Sequence, residues 1–68
     1  MSSAMQAAVT RAAEAVGAGR RMVGPLDHDD AIRTAAALLD LVPVVWITST
    51  PHPHGCGASE YFALWRPA

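Results

Sequence analysis

The most chemically distinctive segment of the sequence is a loop rich in histidine, proline and glycine. It carries His52, His54 and Cys56 at alternate positions, separated by proline and glycine. In an extended chain alternate side chains point the same way, so two imidazoles and one thiolate converge. Such ligands suit Zn²⁺, and a structural zinc site takes four of them. The fourth would come from His28, Asp27 or Asp29, or from a second chain. One hypothesis is therefore a zinc-stabilised module, and its alternative is a polar hairpin loop that faces water.

A thiol beside an imidazole is also the pattern of a cysteine nucleophile. Cys56 lies between two glycines, and His54 lies two residues away, where it can favour the thiolate. Nucleophilic catalysis further requires an oriented base and an oxyanion hole, and no carboxylate lies beside this loop in the sequence. We therefore expect a protein that is not an enzyme. We expect no catalytic residues, no cofactor apart from the zinc of the first hypothesis, and no small-molecule substrate.

The charge balance argues against nucleic acid and membranes as partners. The 68 residues include five arginines, no lysine and six acids, which gives a net charge of −1. A chain of this charge has no long-range attraction to polyanions. The only basic cluster is Arg11, Arg20 and Arg21, and a weak nucleic-acid binder that uses these side chains is a further alternative. The predicted helix before the C-terminal hairpin carries more acids than bases, which is atypical of a recognition helix.

Length and cysteine content bound the class of protein. Residues 1–68 suffice for a single small domain, and the one cysteine excludes a disulfide within the chain. A lone thiol and an N-terminus without the features of an export signal suit the reducing cytoplasm. No apolar run approaches the ~20 residues that span a bilayer. Fourteen alanines, with arginine replacing lysine throughout, are typical of an accessory protein from a high-GC bacterium or a phage.

Two segments have the periodicity of α-helices. The first is expected over about 4–16, between serines at its N-terminal end and glycines at its C-terminal end. The second is capped by Asp27, has acids in its first turn and continues from Ala31 to about Leu41, where a proline follows. The apolar face predicted for the second helix consists of Ala31, Ala35, Leu38 and Val42, joined by Ile32, Ala36 and Leu39.

Two later segments have the composition of strands. β-Branched and aromatic residues dominate 44–50, and 59–65 is expected to pair with it as a hairpin, with a short helix as its alternative. Residues 20–24 are either a third strand, in a right-handed parallel strand–helix–strand unit with 44–50, or a loop. The order α-(β)-α-β-β predicts an α+β fold. Two Ala-rich helices pack on one face of a small two- or three-stranded sheet that ends in a C-terminal β-hairpin.

All the aromatic side chains lie on the two C-terminal strands: Trp46, Tyr61, Phe62 and Trp65. Two helices cover only one face of a small sheet, so the other face is expected to expose Trp and Tyr side chains, which anchor protein interfaces. The alternative is that both tryptophans face the helices and complete the core. We expect a small non-catalytic protein that acts through protein–protein contact, as a regulator, adaptor or structural subunit, and that associates with itself.

Overall fold

The computed structural model describes residues 2–51 and 59–67 and has two helices and three strands. In chain order the elements are α1 (Ser3–Gly17), β1 (Met22–Leu26), α2 (His28–Leu38), β2 (Val44–Pro51) and β3 (Ser59–Arg66). The strands form one sheet in the order β1-β3-β2, and both neighbouring pairs are antiparallel. Both helices pack on this sheet, so the predicted α+β fold is confirmed.

Local hydrogen bonds explain where α1 begins and ends. The Ser2 hydroxyl accepts a hydrogen bond from the Met5 backbone N–H at 3.2 Å, which satisfies one free donor of the first turn. At the other end, Gly19 has φ +75°, and the Arg20 N–H donates to the Ala15 carbonyl at 3.0 Å. A left-handed glycine followed by this bond is a Schellman motif, which ends the helix and turns the chain toward β1.

Helix α2 begins directly after its predicted cap but ends earlier than predicted. The Asp27 carboxylate accepts a hydrogen bond from the Asp30 N–H at 2.7 Å, so Asp27 is the N-cap of α2. The helix ends at Leu38, whereas the apolar pattern extends to Leu41. The Leu41 N–H donates to the carbonyl of Leu38, three residues back, and this tighter turn replaces the expected last turn of the helix.

The position of β3 determines which strands are neighbours in the sheet. β1 and β2 both run antiparallel to β3, so they point in the same direction, as expected for a strand–helix–strand unit. They are not neighbours, however, because β3 lies between them. The β2–β3 hairpin pairs without interruption from Val44↔Arg66 to Pro51↔Ser59. The other edge of β3 pairs with β1.

Strand β1 continues through a Gly-Pro pair that was expected to end it. The register shifts between Val23 and Leu26, so the ladder is irregular there but not lost. Gly24 has φ +149°, and a Cβ on it would lie 2.6 Å from the Phe62 Cδ1 and 2.8 Å from the Tyr61 carbonyl oxygen. Only glycine lets the backbone of β1 come this close to β3.

The core lies between the helices and one face of the sheet. Helix α2 packs on β3 and, less extensively, on β2, while α1 packs on α2 and reaches only β1 of the sheet. Trp65 is the largest side chain of the core and only 3% exposed, and alanines surround it because they let the helices approach closely. The core cluster consists of Ala12, Ala15, Val23, Ala37, Leu38, Val42, Ala63 and Trp65.

The buried face of α2 differs from the predicted one by the inclusion of a polar residue. Ile32 and Leu39 were expected in the core, but they are 48% and 60% exposed. Thr34 is fully buried instead, and its hydroxyl accepts a hydrogen bond from Arg11 Nη1 of α1 at 2.9 Å. This bond satisfies the buried hydroxyl, so α2 turns Thr34 toward α1 and leaves Ile32 outside.

Substitution of Gly24 tests the close approach of β1 to β3. Gly24→Ala should lower the free energy of unfolding by about 2 kcal/mol or more, because the new methyl meets a backbone carbonyl and the φ angle is strained. The matched control is Gly17→Ala at the end of α1, where nothing lies within 4 Å. That change should be neutral or stabilise by up to about 1 kcal/mol in a urea titration. Equal effects of the two substitutions would contradict this packing.

The Arg11–Thr34 bond is tested by a double-mutant cycle. Thr34→Val should cost about 1–2 kcal/mol in thermal or urea unfolding, because it leaves the guanidinium without its acceptor. In a chain that already carries Arg11→Met, the same substitution should cost clearly less, since the donor is gone. Additive effects of the two substitutions would show that the bond does not stabilise the helix pair.

Candidate interaction surface

The face of the sheet opposite the helices, which we call the outer face, carries a continuous set of apolar side chains. Met22 pairs with Leu64, and Leu64 pairs with Trp46, so these three residues form one row across all three strands. Directly paired residues of antiparallel strands have Cβ atoms about 4.5–5.5 Å apart, within reach of side-chain contact. Phe62 and Val44 extend the row along the strands.

The outer face is open to solvent over most of this row. Met22 is 46% exposed and Trp46 is 41% exposed, and no helix of the described chain packs on them. Phe62 is half-buried because its ring lies against the backbone of Gly24, and Leu64 lies between its two exposed neighbours. Monomeric proteins rarely expose contiguous apolar patches of this kind, which mark interaction sites.

The four aromatic residues predicted to form an interface are divided between the two faces. Trp65 lies in the core, and Tyr61 lies on the same face, where its ring meets the His28 ring edge-on at 5.2 Å. Trp46 and Phe62 lie on the outer face. Alternation along β3 places Phe62 and Trp65 on opposite faces of the sheet. Each face therefore carries one of the two tryptophans, Trp65 in the core and Trp46 outside.

The outer face also carries one charge near each end of the middle strand. Glu60 and Arg66 are both exposed and lie on the same face of β3 as Phe62 and Leu64, which lie between them. Six residues of strand separate the two charges by about 20 Å. The outer face is therefore apolar in the middle, negative at one end and positive at the other.

The second open feature is the edge of β2 that pairs with no further strand within residues 2–51 and 59–67, which we call the β2 edge. The Trp65 N–H donates to the Arg21 carbonyl at 3.2 Å, so the backbone groups of Trp65 point toward β1. In antiparallel sheets alternate residues point their N–H and C=O groups to opposite sides. The neighbours of Trp65 in β3 therefore bond to β2, and the β2 groups that point away from the sheet belong to Val45, Ile47 and Ser49.

The β2 edge lacks the features that usually protect a sheet edge. Residues 44–50 carry no charge, no proline and no register shift, and most of them are β-branched. Pro43 and Pro51 lie immediately before and at the end of the strand. The opposite edge is different, because β1 is short and contains Pro25 beside a register shift. Charges, prolines and irregular register are the common means of blocking edge pairing, and between its prolines β2 has none of them.

The helices leave the β2 edge accessible. α1 packs on α2 and β1, while α2 lies mainly over β3 and packs more on β2 than on β1. Ile47 is on the helix face of the sheet and is nevertheless 39% exposed. The helices therefore leave Ile47 at the β2 edge partly uncovered, and a further strand can approach there.

The remaining predicted sites are not assembled in the described ranges. Arg11 donates a hydrogen bond to Thr34. Arg20 lines an open groove of about 790 Å³ together with Arg11 and Glu14, so the groove carries both basic and acidic side chains. His52, His54 and Cys56 lie outside the residues that the structure describes. Within 2–51 and 59–67, no three His, Cys, Asp or Glu side chains are grouped as metal ligands, and no helix is long and apolar enough to cross a bilayer.

The outer face and the β2 edge are thus the two features from which a function can be argued. They share β2 but use different groups, the side chains of one face and the backbone of one edge. Comparisons with protein-family models, with curated proteins and with solved structures found no match to this chain.

Proposed function

We propose that this protein is a small non-catalytic contact protein that associates with itself through the outer face. The observation that carries the proposal is the exposed row formed by Met22, Leu64 and Trp46 across the three strands. Burying such a row removes large apolar side chains from water, which is the main favourable term in association. A regulator, an adaptor or a structural subunit in the reducing cytoplasm fits this chemistry and the single cysteine.

The charges on the outer face favour a second copy of the chain as the occupant. Glu60 and Arg66 lie at opposite ends of β3 and on the same face. When two outer faces meet with their β3 strands antiparallel, Glu60 of each copy lies opposite Arg66 of the other. The two-fold axis then passes at Ala63, midway between the charges, and Phe62 meets Leu64 of the second copy. A surface that is complementary to itself in this way is what a two-fold interface requires.

A charge placed within the exposed row tests this surface. Met22→Lys should weaken self-association by at least about tenfold, because it brings an unpaired ammonium group into an apolar contact. Met22 lies on β1, so the substitution does not touch the β2 edge. Sedimentation equilibrium over a range of concentrations measures the change.

The matched control is Ile32→Lys on α2. Ile32 is 48% exposed, close to the 46% of Met22, but it lies outside the sheet. This control should associate as the wild-type chain does. The proposed surface is contradicted if Met22→Lys and Ile32→Lys have the same effect, or if the wild-type chain is monomeric.

A further inference from the structure

The β2 edge points to a second contact between copies that uses the backbone instead of the outer face. We infer that β2 pairs antiparallel with β2 of another copy, which joins two three-stranded sheets into one of six strands. The inference goes beyond the proposed function, because it rests on the open N–H and C=O groups of Val45, Ile47 and Ser49 and not on the apolar row.

The two prolines define the register of this pairing. Backbone groups at 45, 47 and 49 point outward, and Pro43 and Pro51 occupy the next outward positions, where they have no N–H to donate. A two-fold axis at Ile47 places Val45 opposite Ser49 of the other copy. Ile47 then lies opposite Ile47 of the other copy. All three outward residues of each strand are then bonded. A shift by two residues sets an outward residue against a proline, so it loses hydrogen bonds.

The side chains near the axis suit a pairing of the strand with itself. Two Ile47 side chains meet on the helix face, where each is partly exposed in the single chain. On the outer face, Trp46 lies beside Thr48 of the other copy, and aromatic with β-branched pairs stabilise neighbouring strands. A two-fold axis places the residues nearest to it beside their own counterparts, so a charge at the axis would meet a like charge. Residues 44–50 carry none.

This edge contact and the outer-face contact are geometrically compatible. The edge axis is perpendicular to the sheet at Ile47, and the outer-face axis runs across the strands at Ala63. Ile47 and Ala63 are a directly paired couple of the β2–β3 ladder, so both axes pass at the same level of the sheet. Two perpendicular two-fold axes that meet generate a closed assembly of four chains. With both contacts formed, the assembly therefore contains four copies.

Charge substitution at Ile47 tests both the edge and its register. Ile47→Lys and Ile47→Glu should each weaken the edge contact by at least about tenfold, because two like charges meet at the axis. A mixture of the two variant chains should restore the contact, since Ile47→Lys then opposes Ile47→Glu. Ile47→Thr, which stays uncharged and β-branched, is the control and should retain the contact. With one of the two variant chains labelled with ¹⁵N, native mass spectrometry distinguishes the mixed pairs by mass.

Hydrogen exchange of the wild-type chain gives a readout that needs no variant to fold. In the associated protein the amides of Val45, Ile47 and Ser49 should exchange at least about tenfold more slowly than in diluted, dissociated protein. The amides of Trp46 and Thr48 already bond to β3, so association should leave them comparatively unaffected.

The outcomes separate this inference from the proposed function. Four copies that fall to two with Ile47→Lys and also to two with Met22→Lys support both contacts. Two copies that respond to Ile47→Lys but not to Met22→Lys support the edge and contradict the outer face. The reverse response, or unprotected amides at Val45 and Ile47 in the associated protein, overturns the edge pairing. A monomer at all concentrations contradicts both contacts.

Discussion

The packing of α2 over β3 determines which surfaces of this protein are buried and which are open. The helix lies on Ala63 and Trp65 of the middle strand, and the alanines of both helices allow a close approach. Within the described ranges, α2 covers β3 more extensively than β2, and α1 packs beside α2 and on β1. The outer face exposes a row of apolar side chains that continues across all three strands, and the β2 edge exposes backbone groups.

The small core gives these exposed surfaces a role in stability as well as in contact. A domain below about 70–80 residues rarely has more than about 3–5 kcal/mol from its own core. Most of the buried side chains here are alanines, which remove little apolar area from water, and the larger apolar ones are Val23, Leu38, Val42 and Trp65. Association through the outer face and the β2 edge would bury larger side chains, namely Met22, Trp46 and Ile47, and so add what the single core lacks.

Much of the fold follows from patterns that act over short distances. The caps at Ser2 and Asp27 lie where the sequence places them, because each needs only a side-chain oxygen three residues before a free N–H. The hairpin follows from strand composition in the same local way. The insertion of β3 between β1 and β2 is different, because it depends on which strand edge is free after the hairpin has formed.

The candidate surfaces, too, are predictable from the sequence only where they depend on local patterns. Strand alternation alone places Phe62 and Trp65 on opposite faces, so exposure of one aromatic group is predictable from the sequence. Which tryptophan is buried depends on where α2 lies, and the burial of Thr34 depends on a bond to Arg11 on another helix. The open groups of Val45, Ile47 and Ser49 are assigned only once the β2–β3 register and the bond from Trp65 to Arg21 are known.

The mass of the native wild-type protein in solution tests this account most directly. The chain is 7.1 kDa, and an open face together with an open edge predicts an assembly of four chains in sedimentation equilibrium at micromolar concentration. A species of two chains would mean that only one of the two open features is a contact. A single 7.1 kDa species at every concentration would contradict the claim that second copies cover the surfaces that α1 and α2 leave exposed.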